Sequence, residues 1–395
     1  MGYGKTWLGR DLEWQIKNAG FDLGPFHIKT AFTLTNAGYD SNVYYGATDE
    51  PVKDITFTAG PAFNIYLPIK KKIIFSIYES PQYVYFKETT RERTWNNYFN
   101  GQVHFVFNKF LLTFGMGISE ARERWNTEID IRPRRREDAV QASLLWQVQK
   151  KTSFSFAYSQ AKYDYENIAY EGFNLQRLLN REENYFNFAG FYQLSYRTRF
   201  FLELEYGYFN FDDPETLKNS EAYGAYGGFE FSPLGKIKGR IKIGYKFFNS
   251  LSPLREDYRG IVGDSSLSIR LLKPLSVRAS YKRDVHFSVW YDNTFFLENR
   301  YGAGGSLYLF RNIRLDYDYF VGRNSYPEAY FGDGSAFSSF QKRQDDYRTH
   351  MVGLYFRLKK NIGLGVIASR WVRDSNLEWE DDERNFLGLN LTYDF

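Results

Sequence analysis

The chain has 395 residues, of which 20% are Phe, Tyr or Trp and 43% are hydrophobic, yet its mean hydropathy is −0.52. No stretch approaches the roughly 18 uninterrupted apolar residues of a helical membrane span. The absence of cysteine excludes thiolate metal sites and disulfide frameworks, and a net charge of +4 is too small over this length to point to nucleic acid. A chain that is polar on average and crowded with rings suits a barrel wet inside and greasy outside.

Residues 1–25 alternate poorly and carry Asp11, Glu13, Lys17 and Asn18, which predicts a periplasmic lead-in ahead of the barrel. Met1 to Trp7 holds no apolar h-region, so an outer-membrane address implies a mature form whose secretion signal is gone. The strands begin at Phe26. Phe26–Thr35 puts Phe26, Ile28, Thr30, Phe32 and Leu34 on one face, then runs into the turn-rich loop Asn36-Ala37-Gly38-Tyr39-Asp40-Ser41-Asn42. Asp54–Leu67 puts Ile55, Phe57, Ala59, Phe63 and Ile65 outward and turns tightly at Pro68-Ile69-Lys70-Lys71-Lys72. Further tight turns are expected at 107–109, 149–151, 196–198, Ser232-Pro233-Leu234-Gly235, 272–274, 310–312 and 359–361. Long loops are expected near 86–94, 122–137, 162–184, 211–221, 249–259, 285–297, 323–345 and 373–384. Eight turns, nine loops and eighteen strands make the fold all-β: one transmembrane antiparallel outer-membrane barrel over 26–395, with both termini periplasmic.

The outward faces are apolar throughout, as in Leu112/Phe114/Met116/Ile118 and Phe200/Leu202/Leu204/Tyr206, and rings gather near strand ends as interfacial girdles. The last nine residues alternate strictly, with Leu387, Leu389, Leu391, Tyr393 and Phe395 on one face. Such a strand left unpaired would be an aggregation hazard, and a closed barrel has no such edge. A terminal Phe after an alternating strand resembles the closing strand of bacterial outer-membrane barrels. That resemblance assigns Tyr393 and Phe395 to an assembly signal read by the barrel-assembly machinery.

Gly38-Tyr39-Asp40-Ser41-Asn42-Val43-Tyr44, the Asp54 strand ending Ile65-Tyr66-Leu67-Pro68, and Tyr83-Val84-Tyr85 resemble the β-barrel porin type 2 family, found among exopolysaccharide gene clusters. The resemblance is clearest over 22–165 and is mainly periodicity afterwards; the alginate-export barrels are similar in strand count. It implies a conduit for a secreted polysaccharide that works with a periplasmic polysaccharide-export protein and sits among outer-membrane lipid and lipopolysaccharide. Neither family supplies catalytic residues or a cofactor.

Little in the sequence points to chemistry. No two of His27, His104, His286 and His350 have ligand spacing. Asp284 and His286 share a face at the outer end of the thirteenth strand, where a rim enzyme would keep acid and base, though loop-edge polarity explains them more simply. Asp40-Ser41-Asn42 fits an Asx turn better than a calcium loop, and Phe331-Gly332-Asp333-Gly334-Ser335 reads as an ordinary flexible loop. Arg132, Arg134, Arg135 and Arg136 fall in the third outer loop, as a solvated stretch or a grip on lipopolysaccharide phosphate or an acidic glycan.

The inward faces say more. The second to eighth strands offer neutral polar groups such as Thr58, Asn64, Ser76, Gln102, Gln141, Ser155 and Asn187. From the ninth strand the wall turns charged, with Glu203, Glu205 and Glu230 ahead of Lys238, Arg240, Lys242, Lys246, Arg270, Arg278, Lys282 and Arg300. Lys29, Arg314, Arg357 and Arg384 bring the inward bases to twelve, against seven acids once Asp264, Asp284, Asp316 and Asp318 are added. That much charge must be wet or paired. Pairing of the three glutamates with the bases of the eleventh strand is one reading; an anion-preferring aqueous lumen is the other. The function expected is a channel exporting an acidic polysaccharide. The alternatives are a general or sugar-selective uptake porin, and a surface receptor or anchor whose loops do the work over a plugged barrel.

Overall fold

The computed structural model describes residues 10–70, 72–124, 126–170, 172–231, 235–329 and 341–395. Among the described residues eighteen antiparallel strands form one closed sheet. They are β1 (Phe26–Asp40), β2 (Asp54–Ile69), β3 (Ile73–Phe86), β4 (Thr94–Val106), β5 (Phe110–Arg122), β6 (Arg134–Gln147), β7 (Thr152–Tyr165), β8 (Arg181–Ser195) and β9 (Thr198–Phe211). The ring continues with β10 (Ser220–Phe231), β11 (Ile237–Ser250), β12 (Tyr258–Arg270), β13 (Leu275–Phe287), β14 (Phe295–Phe310), β15 (Ile313–Ala329), β16 (Lys342–Lys359), β17 (Ile362–Ser375) and β18 (Asp382–Asp394). Each strand pairs with its sequence neighbours, and β18 pairs with β1 to close the ring, so the long apolar edge that would invite aggregation is absent.

Alternation decides which side chain faces where. Leu202 and Leu204 on β9 are 60% and 57% exposed, whereas Phe201 between Phe200 and Leu202 is buried on the lumen side. Outward rings pair across strands near both ends of the wall. Phe110 stacks on Trp146 at 5.9 Å near the turn end, and Tyr206 meets Tyr223 at 5.0 Å and Tyr281 meets Tyr301 at 5.2 Å towards the loop end. Such pairs anchor a barrel where lipid meets water.

Several inner rings lie flat on glycines. A methyl group at Gly228 would meet the Phe201 ring at 2.7 Å, and one at Gly322 would meet the Tyr347 ring at 2.3 Å. Bulky side chains are thereby laid along the wall instead of projecting into the lumen.

Strand count and parity stand as expected, but the strands are longer, at 12 to 18 residues. Their outer ends continue past the apolar band, where both faces are polar and hydropathy gives no boundary. β1 therefore runs on to Asp40, through a bulge at Asn36 (φ 52°), where a loop was expected. The third outer loop is likewise shorter than 122–137, because β6 already starts at Arg134. The lead-in contains helix α1 (Arg10–Lys17) and a short strand, Phe21–Leu23, paired with Phe26–Ile28. Ser232-Pro233-Leu234, Lys71 and the Phe331 to Ser335 stretch lie outside the described residues.

Candidate functional site

The lumen wall has two arcs. On β2 to β8, Asn64, Gln102, Gln141 and Asn187 face inward among hydroxyls, and Gln102 and Gln141 share one register row through Gly115. The Ser76 hydroxyl lies 3.0 Å from His104 Nε2, and His104 Nδ1 lies 3.0 Å from the Thr113 hydroxyl. This imidazole is thus a satisfied member of a polar row.

On β9 to β16 the charges are paired within the wall. Glu203 accepts from Arg240 at 2.5 Å and from Lys242. Glu230 holds Arg199 and lies 3.5 Å from Arg240. Lys246 sits 2.6 Å from Asp284 and 3.9 Å from Glu205. The Glu203 and Glu205 contacts reach from β9 to β11 across β10, which offers only hydrogen at the inward positions Gly224 and Gly228; Glu230 sits on β10 itself, and Lys246 reaches Asp284 across β12. Arg278 is clamped by Asp318 at 2.8 Å, and Arg314 lies 3.1 Å from Asp316.

Glu298, an acid outside the expected set, gathers Lys282 (3.4 Å), His286 (3.2 Å) and Arg300 (3.8 Å) and accepts from the Tyr347 hydroxyl at 2.6 Å. Six of the eight expected wall bases are therefore neutralised: Arg240, Lys242, Lys246, Arg278, Lys282 and Arg300. Lys238 and Arg270 have no carboxylate within ion-pair distance among the described residues. The pairing reading thus holds for the middle of the wall.

At the loop end the lumen is bridged. The segment between β5 and β6 crosses to the opposite wall, where the Thr127 hydroxyl accepts from Asn324 of β15 at 3.0 Å and the Thr127 carbonyl accepts from Arg373 of β17. At its tip Glu128 is fully buried. It accepts from the Ser288 hydroxyl at 2.6 Å and the Val289 N–H at 2.9 Å in the loop after β13, and from Asn126 at 2.6 Å. Lys218, from the loop after β9, is equally buried and donates to the Ser288 carbonyl at 2.8 Å.

Around this tie a hydrophobic layer forms from Ile129, Tyr170, Val289 and Trp290, with helix α2 (Leu175–Leu179) setting Leu175, Leu178 and Leu179 into it. Burial pushes the Glu128 carboxyl up and pulls the Lys218 ammonium down to about 7, each partly offset by the other's charge. Arg343 completes the layer, held by Asp345 and Glu380 at 2.9 Å each and lying over Tyr326.

Beneath the layer is a cavity of about 220 Å³ lined by Tyr185, Phe209, Phe287, Lys246 and His286 among others. Neither Glu128 nor Lys218 was singled out from sequence, since a loop fixes no register. The visible signals were Ile129 and Ile131 alternating with Glu128 and Asp130, and apolar residues at helical spacing in 175–179.

The four arginines do not form a loop patch. Arg134 and Arg136 are outward on β6 and paired with Glu120 (2.6 Å) and Asp138 (2.8 Å). Arg135 points the other way to Glu123 at 3.3 Å, and Arg132 lies over the Phe86 ring at 4.5 Å. Asp40-Ser41-Asn42 is an Asx turn, with the Asn42 N–H 3.1 Å from the Asp40 carboxylate. Arg384 grips the same carboxylate at 2.5 Å. Tyr393 and Phe395 pack edge to face at 4.7 Å, with Phe395 exposed on the outer surface.

Solved structures that share the fold include two Pseudomonas aeruginosa barrels. Pseudomonas aeruginosa OpdK, solved with vanillate, superposes with a TM-score of 0.52 at 9% identity over 93% of this chain and 98% of that one. Pseudomonas aeruginosa OpdO gives 0.50 at 13% over 93% and 97%. No curated protein matches the sequence. The family described as "Putative beta-barrel porin 2" matches residues 147–395. That is the part where only periodicity was expected to carry the likeness, and the Tyr-Asp-Ser-Asn stretch lies outside it. The match spans well over half of the chain, which therefore belongs to this family of β-barrel porins.

Proposed function

We propose that the barrel is an outer-membrane channel through which a polysaccharide leaves the cell. The lining supports this reading: an arc of uncharged amides and hydroxyls faces an arc of charges neutralised within the wall. Sugar hydroxyls exchange hydrogen bonds with either arc, and no deep charge well stands midway, so a polymer binds repeatedly and weakly enough to move on. A periplasmic export protein would deliver the chain to the turn end, which lies on the periplasmic side in barrels of this kind. Dextrans of graded length, added to single channels in planar bilayers, test this. Current interruptions that lengthen with the polymer are expected, and channels indifferent to every dextran would refute the reading.

Uptake of small solutes is the second reading, and the cavity of about 220 Å³ under the loop layer favours it, being the size of a single sugar ring. Proteoliposome swelling by monosaccharides, with none of the dextran interruptions, would select it.

A further inference from the structure

The bases of this barrel are not distributed as its acids are. At the loop end, many exposed bases sit beside carboxylates, as Arg323 does with Asp346 at 2.6 Å and Arg370 with Glu383 at 3.2 Å, while Lys53, Arg91, Arg93 and Lys342 are exposed there without an ion pair among the described residues. At the turn end the pattern is reversed. Lys72, Lys109, Lys150 and Arg197 mark the first four tight turns, and all are exposed. Lys236, Lys273, Arg311 and Lys360 mark the other four and are exposed too. None of the eight turns contains an Asp or Glu.

The ring continues into the pore. Lys29 on β1, Lys238 on β11, Arg270 on β12 and Arg357 on β16 stand on inward positions of the strand segments next to those turns. Among the described residues none of these twelve bases has a carboxylate within ion-pair distance. Unpaired positive charge is thus concentrated at this mouth, with these twelve bases against four exposed ones at the loop end, and here it runs from rim to lumen.

We propose that this mouth is a capture site for a linear polyanion, namely an acidic polysaccharide bearing carboxylates, which enters the channel from the turn side. The inference rests on the carbohydrate-channel reading and adds the sign of the cargo and the residues that capture it. An anionic lipid headgroup reaches rim lysines but not the four inward bases, and a folded acidic protein covers a rim without following charge into a pore. A flexible chain does both. Low-dielectric walls focus the field of such a ring on whatever enters. Farther in, the paired wall offers no net charge, so the polymer is gripped on entry and released onto a neutral track.

The test uses the full-length barrel, inserted in one orientation in planar bilayers of neutral lipid, with polygalacturonate as the acidic probe and dextran as the neutral one. Polygalacturonate should interrupt current from the turn side at about tenfold lower concentration than from the loop side. That difference should fade as salt rises from about 0.05 to 0.5 M, because exposed charges are screened over a Debye length. The variant carrying Lys72→Glu, Lys109→Glu, Lys150→Glu and Lys273→Glu should lose the difference while keeping its heat-modifiable fold and its response to dextran. Equal action from both sides, or a difference that survives charge reversal, overturns the capture site. If dextran still enters in that case, the carbohydrate channel stands without it. If neither glycan affects a conducting channel, both readings fall.

Discussion

The Ser288 hydroxyl donates to the Glu128 carboxylate at 2.6 Å, tying together two loops that are 160 residues apart in the chain. With the Val289 N–H on the other oxygen, this carboxylate is the fastener of the layer across the outer mouth. Glu128→Ala removes it, leaves the Ser288 hydroxyl and Val289 N–H without their acceptor and takes away an attraction felt by the buried Lys218, a loss on the order of 1–3 kcal/mol for each buried partner left unsatisfied. The barrel wall should stay folded while amides of 126–133 and 288–294 lose exchange protection and single-channel conductance rises. Unchanged protection would show that the hydrophobic layer alone holds the mouth.

Closure should also depend on alkali. Burial lowers Lys218 to about 7 from an ordinary value of 10.5, with Arg255 and Arg181 adding repulsion and Glu128 and Asp292 opposing them. When the loops part, the ammonium regains its ordinary affinity, so between those values the open state binds more protons and closure strengthens as pH rises. Below about 7 that contribution is absent. Glu128, pushed up, acts in the opposite sense, favouring closure below its ordinary value and losing that effect as pH rises through its raised one. Open probability should fall from about pH 7 to about pH 10, and Lys218→Met should flatten that limb. A limb that persists in the variant would assign it to other groups.

Ring-on-glycine packing predicts a sharp contrast. A Cβ at Gly228 would lie 1.9 Å from the Ile241 carbonyl oxygen and 2.7 Å from the Phe201 ring, whereas one at Gly363 meets nothing within 4 Å. Gly228→Ala should destabilise the barrel by about 1–3 kcal/mol, the usual range for overpacking. Gly363→Ala should be close to neutral. Urea unfolding followed by gel mobility distinguishes them.

Glu203 neutralises Arg240 and Lys242 together. Glu203→Gln takes away the ion pair of Lys242, leaves Arg240 with Glu230 alone and adds one net positive charge in mid-lumen, so reversal potentials in a salt gradient should move towards anion preference. No movement would mean that ions do not pass along this arc.

Phe395→Ala should lower the yield of folded barrel in cells without altering the stability of the molecules that do fold. The exposed ring contributes little packing, while the backbone bond from the Phe395 N–H to the Thr30 carbonyl at 3.1 Å is kept. Wild-type yield would remove the ring from the assembly step.

What could be read from sequence follows from where lipid imposes a rule. Leu202, Leu204 and Tyr206 had to face outward, and that fixed the face of Glu203 and Glu205 between them. The strand count and the two arcs of the lumen were legible for the same reason. Arg134 to Glu137 lies above the apolar band, where neither face is constrained, so a strand end looked like a loop. Partners were harder still. Glu298 shares its inward face with Arg300 two residues on, but its partners on β13 and β16 are announced by no local pattern. The outer layer was out of reach: Glu128 meets Ser288 only once eighteen strands have closed.

The seam between the first and last strands has a built-in stop. β18 covers the edge of β1 as far as Thr30, and the Phe21–Leu23 strand covers Phe26–Ile28 beyond it, with the Gly20 N–H on the Ile28 carbonyl at 2.9 Å. A methyl group on Gly20 would come within 2.5 Å of the Phe395 carbonyl oxygen, so the chain end rests against the hairpin like a drawer against its back panel. A closing strand could otherwise slide by two residues and still present its leucines to lipid, since such a slip preserves the faces. With the edge already occupied, only one alignment lets β18 pair as far as Thr30, and the Phe21–Leu23 strand thus sets the register in which β18 is received.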